Sequence, residues 1–185
     1  KFIFRIEDTN PENIYPPAYK MLQDEAKWLF GSIVKISKIN IQSDRMKIYY
    51  NYAEKLIKIN KAYVCTCEQG EIQKNRRLGR ECSCRQFPVS EQEKRWKKML
   101  DKKGYKEGKA VLRFKGNMLD KNPALRDFPL ARIIDKGHPR QGKKYRVFPL
   151  MNLAVAVDDI EEKITHIIRA KEHRDNALKQ EMIFN

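Results

Sequence analysis

Residues 2–11 of the chain, Phe2-Ile3-Phe4-Arg5-Ile6-Glu7-Asp8-Thr9-Asn10-Pro11, decide the fold. The apolar first half stops at the acidic pair Glu7 and Asp8, as a buried strand that leads into a polar loop would. A helix should follow, because two prolines at 16 and 17 suit a first helical turn and apolar residues then recur at helical spacing up to Gly31.

The same alternation continues along the chain. Residues 33–36 have the pattern of a strand, and Ser43 can cap a second helix with one apolar face. After an interruption, residues 150–157 indicate an apolar helix, 164–168 a short strand and 172–184 a final helix. Strands alternating with helices predict an α/β sheet.

The interruption lies between about residues 61 and 146. A lysine-rich helix is predicted from about Ser90 to Lys103, and residues 110–114, 130–134 and 145–148 have the pattern of strands separated by polar loops. We therefore expect a separate α+β module, and divide the chain into residues 1–60, 61–146 and 147–185.

The composition favours a polyanion as partner. Lys and Arg total 39 against 24 Asp and Glu, so the formal net charge is +15. Such an excess attracts nucleic acid through the release of counterions, although a lysine-rich thermophilic surface or an AT-rich genome is the alternative explanation. No apolar run approaches the roughly 18 residues that cross a bilayer, so we expect a cytoplasmic protein without a membrane partner.

Four cysteines form two close pairs, Cys65-x-Cys67 and Cys82-x-Cys84, with fourteen residues between them. In a reducing compartment such a cluster indicates metal ligands rather than disulfides. Four thiolates fill the tetrahedral shell of Zn²⁺ and leave no place for a substrate, so the prediction is a structural zinc ion. The alternative is a set of thiols left over from a site that no longer binds metal.

Basic residues lie between and after the cysteine pairs. Phosphate contact is predicted for Lys74, Arg76, Arg77 and Arg80, and the lysine-rich helix that follows adds to the same charge. An ordinary solvated surface can carry a similar run, so the patch as a whole indicates nucleic-acid binding better than any one of its members.

The block Phe4 to Pro11 resembles the Arg-(Ile/Phe)-(Glu/Asp)-Asp-Thr-(Asn/Asp)-Pro block of glutamyl- and glutaminyl-tRNA synthetases. Further blocks resemble the same family in the same order, at residues 107–113, 125–133, 157–159, 164–166 and 168–173. Agreement in register from end to end is more specific than any single block, and the chain is most similar to the archaeal-type glutamyl branch.

The resemblance implies a fold in which a Rossmann-type class I synthetase catalytic domain is interrupted by a zinc-containing insertion that binds the acceptor end of tRNA. It also adds Arg113 and Arg126, which lie in the blocks similar to that insertion, to the predicted tRNA-binding residues. The implied activity is ATP-dependent activation of L-glutamate and transfer of the glutamyl group to tRNA, with Mg²⁺ accompanying ATP.

The resemblance also assigns residues to the amino acid. It implies that Glu7 holds the α-ammonium group and that Arg169 holds the side-chain carboxylate, which a planar guanidinium suits well. The alternatives are a capping or loop acid for Glu7 and a surface ion pair with Glu172 or Asp175 for Arg169. Met151 occupies the position where many relatives have a tyrosine, and its thioether cannot donate the hydrogen bond of that tyrosine.

For ATP, the resemblance implies contacts between the adenosine and Glu172 and His173. The family's His-Ile-Gly-His and Lys-Met-Ser-Lys motifs, which handle the phosphates, are absent from this sequence. We therefore expect an internal piece of the catalytic region that contains no catalytic residue of its own and does not activate glutamate alone.

Two other functions stay open. A glutaminyl-tRNA synthetase shares most of these blocks, but enzymes of that kind similar to this chain lack an arginine at the position of Arg169. A non-catalytic, zinc-stabilised RNA-binding module would need only the charge and the cysteines. It would have no reason to carry the blocks around Glu7 and Arg169.

Overall fold

The computed structural model describes residues 2–31, 33 and 35–184. A parallel pair of strands begins the fold, with β1 at Phe2–Ile6 beside β2 at Ile36–Ile41, and helix α1 at Ala18–Phe30 connects them. The strand predicted at 33–36 contributes only its last residue to β2, and Val34 lies outside the described residues. The predicted alternation of strand and helix is therefore present at the start of the chain.

An antiparallel sheet of four strands, in the order β3-β4-β5-β6, forms the centre of the molecule. Its strands are β3 at Ala62–Cys65, β4 at Val111–Phe114, β5 at Phe128–Ile133 and β6 at Val147–Pro149. The predicted domain boundaries at 60/61 and 146/147 fall just before the two edge strands of this sheet, and the division into domains stays a prediction.

The remaining helices surround this sheet. They are α2 at Met46–Lys58, α3 at Gln69–Leu78, α4 at Val89–Leu100, α5 at Met151–Glu161 and α6 at Arg174–Phe184. One apolar core includes side chains of α2, α4, α5 and α6 together with the sheet, so residues on both sides of the predicted insertion share a single core. None of the helices described is long and apolar enough to cross a membrane.

The prediction of a strand at 164–168 is wrong for the described structure. This segment belongs to no regular element and pairs with none of the described strands, and Ile168 is 98% exposed. Its apolar pattern was too short to specify a strand without a neighbouring strand to bind its backbone groups. Strand β3 and helix α3 were missed, because the cysteine-rich composition around them hides their periodicity.

The carboxylate of Asp8 joins the parallel pair to the elements around it. It is buried just beyond β1, where its oxygens accept hydrogen bonds from the Ser43 amide at 2.8 Å, the Ser43 hydroxyl at 2.6 Å and the Tyr19 hydroxyl at 2.6 Å. Ser43 lies in the 3-10 turn that precedes α2, so its hydroxyl serves Asp8 instead of capping the helix as predicted. Asp8 thereby fixes β1, α1 and the start of α2 relative to one another.

Replacing Asp8 with asparagine should destabilise the fold by about 1–3 kcal/mol, since an amide nitrogen would face donors that now find an acceptor in a buried site. Urea denaturation followed by circular dichroism measures the difference. The matched control is Asp24→Asn, which removes an exposed ion pair to Lys20 on α1 and should leave stability essentially unchanged. Equal stabilities of the two variants would contradict the role given to Asp8.

Candidate amino-acid site and cysteine cluster

Glu7 and Arg169, which the family resemblance assigns to the amino acid, are linked through Arg5 and one buried carboxylate, that of Asp159. The guanidinium of Arg5 donates to Asp159 at 2.8 Å and to Glu7 at 3.3 Å, and the guanidinium of Arg169 donates to the other oxygen of Asp159 at 3.4 Å. The blocks from the two ends of the chain therefore form one charged site. The ion pair of Arg169 is with Asp159 rather than with Glu172 or Asp175.

Helix α5 positions Asp159. The carboxylate is only 5% exposed, because α5 is buried along most of its length and carries this residue in its last turn. Burial alone would lower the pKa of Arg5, but the hydrogen bond and the charge of Asp159 more than offset it and raise that pKa. Arg5 therefore stays charged beside Glu7.

Sequence reasoning missed both Arg5 and Asp159. Arg5 stands within the quoted block, and Asp159 ends an apolar helix, where a buried carboxylate requires a cation. Because buried charges are generally paired, the sequence could have predicted that Asp159 has a cationic partner. It could not have predicted which arginine that partner is.

The residues predicted to contact ATP lie next to Arg169. Glu172 and His173 are exposed in the 3-10 turn Lys171–His173, which precedes α6. A groove of about 370 Å³ is lined by Arg169 and His173 among other residues. Met151 is partly exposed at the first position of α5, outside the set of side chains that line this groove.

The four cysteines come together as predicted. Their sulfur atoms all lie within 4.8 Å of one another, with 3.8 Å between Cys65 and Cys82 and 3.9 Å between Cys67 and Cys84. Sulfurs bound to one tetrahedral Zn²⁺ at about 2.3 Å would be about 3.8 Å apart, so the spacing fits that ion. Strand β3 supplies Cys65, and Cys82 and Cys84 flank the start of a short 3-10 turn.

Hydrogen-bond donors surround these sulfur atoms. The guanidinium of Arg95 lies 3.6 Å from the sulfur of Cys84, and that of Arg113 lies 3.9 Å from the sulfur of Cys65. The hydrogen bond between Cys65 and Cys82 raises the pKa of the first thiol and lowers the pKa of Cys82 to about 5. The pKa of Cys84 is also lowered, whereas burial raises that of Cys67, so the surroundings favour the thiolate at Cys82 and Cys84 and the thiol at Cys65 and Cys67 when no cation is bound.

The basic residues predicted to bind tRNA fall into two groups. Lys74, Arg77 and Arg80 are exposed on α3 and just beyond it, where Gly79 ends the helix with a φ of 67°. Arg76 and Arg126 are half-buried. Arg76 donates to the carbonyl of Pro123 at 2.9 Å, and Arg126 donates to the carbonyls of Arg76 and Arg77 at the end of α3.

The predicted role of Arg113 in tRNA binding needs correction. Its side chain is only 4% exposed and lies between the sulfur of Cys65 and the carbonyl of Asp127, to which it donates at 3.0 Å. A guanidinium in this position cannot reach a phosphate on the surface. The alternation of strand residues could have placed it inside the sheet, but arginine is rare in cores and was assigned to the surface.

Residues 1–185 match the family model described as tRNA synthetases class I (E and Q), catalytic domain. The chain belongs to this family. The resemblance stated from the sequence is therefore confirmed at the level of the family, and the fold class is confirmed as mixed α/β with a class I synthetase catalytic fold.

Similar proteins of the family are glutamate–tRNA ligases of archaea. The chain is 47% identical to that of Thermococcus onnurineus and 48% identical to that of Pyrococcus furiosus, in each case over all of this chain and 32% of the relative. A crystal structure of a glutamate tRNA ligase from Elizabethkingia meningosepticum, in complex with its amino acid, matches with a TM-score of 0.58 and 23% identity. That match covers 99% of this chain and 40% of the other, and it shows the fold.

The chain thus spans about a third of the length of the curated relatives it matches.

If the cysteine cluster holds Zn²⁺, as the sequence predicts, replacing the buried Arg113 with methionine should weaken the binding of that ion by about tenfold or more, because four thiolates and Zn²⁺ would leave a net negative charge that the guanidinium offsets. Competition with a chelator of known affinity measures the change. Arg80→Met is the matched control, since Arg80 is exposed on a nearby segment and should leave zinc affinity unchanged. Equal affinities of the two variants would contradict this role.

Proposed function

We propose that the protein to which this chain belongs is a glutamate–tRNA ligase. It joins the α-carboxylate of L-glutamate to the α-phosphate of ATP with release of pyrophosphate, and then transfers the glutamyl group to a ribose hydroxyl at the 3′ end of tRNA with release of AMP. The observation that carries this proposal is the linkage of Glu7 to Arg169 through Arg5 and the buried carboxylate of Asp159. The names of the archaeal relatives agree with it.

The charges of the site suit glutamate. Its α-ammonium is bound by Glu7, whose side chain is 44% exposed and so within reach of a ligand. Its side-chain carboxylate is bound by Arg169, which can exchange its long contact with Asp159 for a bidentate pair with the substrate. Met151 offers the ammonium no strong acceptor, so recognition of that group depends on Glu7 and on the backbone.

The same charges disfavour the two other functions. Glutamine presents a neutral amide to Arg169, which would lose its charge-assisted partner. A module that only binds RNA has no use for a buried carboxylate that holds two guanidinium groups beside Glu7. The family covers both the glutamate and the glutamine enzymes, and Arg169 is the residue that separates them here.

The reaction requires no protein nucleophile, because the α-carboxylate of glutamate attacks phosphorus and the terminal ribose hydroxyl of tRNA then attacks the acyl carbon. This part of the enzyme contributes orientation of the amino acid. Glu172 and His173 contact the adenosine, since His173 lines the groove that also contains Arg169 and Glu172 is exposed in the same 3-10 turn. Mg²⁺ accompanies ATP and supplies charge neutralisation at the phosphates in the complete enzyme.

Lys74, Arg77 and Arg80 contact the phosphates of the tRNA acceptor end. Their exposure on one short helix and its terminus supports this role, and the net charge of +15 attracts the polyanion. Arg76 and Arg126 assist by fixing the helix that presents them. The enzyme works in the cytoplasm, where translation takes place.

Cys65, Cys67, Cys82 and Cys84 hold a structural Zn²⁺ ion in an insertion that carries the tRNA contacts. The fit of the sulfur spacing to one tetrahedral ion supports this assignment, as do the two arginines beside the sulfurs. With all four positions occupied by thiolates, the ion has no part in the reaction. It fixes the ends of the segment that includes α3.

The variant Arg169→Ala should lower glutamate charging by the full-length parent about 100-fold, through loss of the buried charge-assisted bond, while tRNA affinity changes less than about twofold. Aminoacylation and filter-binding assays measure the two quantities. Arg80→Ala should show the opposite pattern, with weaker, salt-sensitive tRNA binding and an unchanged KM for glutamate. Equal loss of charging and tRNA affinity in Arg169→Ala would favour the RNA-binding alternative.

Elemental analysis of protein prepared without chelators should find about one zinc per chain, and Cys84→Ser should lose most of it. The variant Cys82→Ser, which removes a second buried sulfur atom, should lose a similar amount of zinc. Less than about half an equivalent of zinc in the unaltered protein would count against the assignment.

A further inference from the structure

The segment from β5 to β6 reaches across the molecule to the loop that carries Glu7. His138 lies in this segment and is only 2% exposed, with Nε2 of its ring 2.8 Å from the backbone carbonyl oxygen of Asp8. The ring also stacks on Phe148 of β6, with 5.9 Å between centroids and 19° between planes. His138 thus connects the four-stranded sheet to the residue next to Glu7.

The other ring nitrogen of His138 fixes the direction of this hydrogen bond. The backbone amides of Arg140 and Gln141 lie 3.1 Å and 3.3 Å from Nδ1, and both can only donate. Nδ1 therefore carries no proton, and the proton of the neutral ring is on Nε2. His138 accordingly donates to the carbonyl oxygen of Asp8.

Neighbouring side chains hold the same loop. Arg132 of β5 donates to Asn10 at 3.3 Å and to Glu12 at 3.1 Å. Further along, Arg140 and Gln141 each donate to Asp44 at 2.7 Å, which fixes the β5–β6 segment to the turn before α2. The β5–β6 region thus holds the loop at its main chain and at two of its side chains, in addition to the contacts of the Asp8 carboxylate with Tyr19 and Ser43.

This support matters because the loop has little structure of its own. β1 ends at Ile6 and α1 begins only at Ala18, so the backbone of Glu7 lies outside both elements, and β1 reaches its side chain only through the hydrogen bond from Arg5 at 3.3 Å. A displacement of about 1 Å would lengthen the charge-assisted hydrogen bond between the Glu7 carboxylate and an ammonium group beyond its usual length of about 2.7–2.9 Å and so weaken binding of the amino acid. The geometry of Glu7 therefore depends on contacts supplied by other parts of the chain.

We propose that His138, supported by Arg132, is a positioning residue for the amino-acid site. By holding the main chain at Asp8, it places the carboxylate of Glu7 where the α-ammonium of the amino acid arrives. This inference rests on the proposed function, and it gives the four-stranded sheet an indirect part in amino-acid binding, through the main chain next to Glu7.

The test compares His138→Leu with His138→Gln in the full-length parent. Leucine fills much of the ring's volume but has no donor, whereas the side-chain amide of glutamine can donate in place of the Nε2 proton. For His138→Leu we expect the KM for glutamate to rise about tenfold, with kcat, the KM for ATP and the KM for tRNA each within about twofold. For His138→Gln we expect a rise of less than about threefold.

A second variant keeps the test decisive if His138→Leu does not fold. Arg132→Met should raise the KM for glutamate by about threefold, since its contacts are more exposed. The matched control is Lys47→Met, at an exposed position on α2, which should leave every constant unchanged.

An unaltered KM for glutamate in a folded His138→Leu, or in Arg132→Met where His138→Leu does not fold, would overturn the inference. The inference would also be overturned if the KM values for glutamate, ATP and tRNA all rose to a similar extent in His138→Leu and rose equally in His138→Gln. That pattern is expected of a purely structural role. The failure of the proposed function itself has a different signature, because the unmodified parent would then not charge tRNA with glutamate.

Discussion

The buried carboxylate of Asp8 is the constraint on which the rest of the structure depends. A carboxylate without partners in this position would be costly, and the chain meets that cost with donors from α1 and from the turn before α2. The backbone of the same residue accepts from His138, so one position links the parallel strands to the four-stranded sheet. Because Glu7 is the preceding residue, the contacts that stabilise the fold also orient a residue of the proposed site.

A second buried carboxylate, Asp159, organises the charges of that site. Its neighbour Asp158 is held by Gln42, Arg45 and Tyr49, which fixes α5 against the elements around α2. Asp159 has different partners. It accepts hydrogen bonds from Arg5 and Arg169, which lie near opposite ends of the sequence. Asp158 therefore fixes helix α5, and Asp159 holds the two cations of the proposed amino-acid site.

The sequence predicted the features that follow from local periodicity or from close spacing. The apolar run before Glu7 predicted β1, the helical spacing up to Gly31 predicted α1, and the paired cysteines predicted one cluster. The sequence-based predictions failed where contacts between residues distant in the sequence determine the position of a side chain or segment. Arg113 has the charge of a surface residue but is held inside by sulfur and a carbonyl, and the apolar residues at 164–168 pair with no strand among those described. Likewise, nothing local to His138 indicates that its partner is the backbone of Asp8.

The central claim is that Glu7 and Arg169 together bind one glutamate molecule. A crystal structure of the full-length parent with a non-hydrolysable analogue of glutamyl adenylate tests it most directly. The account predicts the ligand's side-chain carboxylate within about 3 Å of the Arg169 guanidinium and its ammonium at a similar distance from the Glu7 carboxylate. A ligand whose side-chain carboxylate is bound elsewhere, with Arg169 still paired only with Asp159, would contradict it.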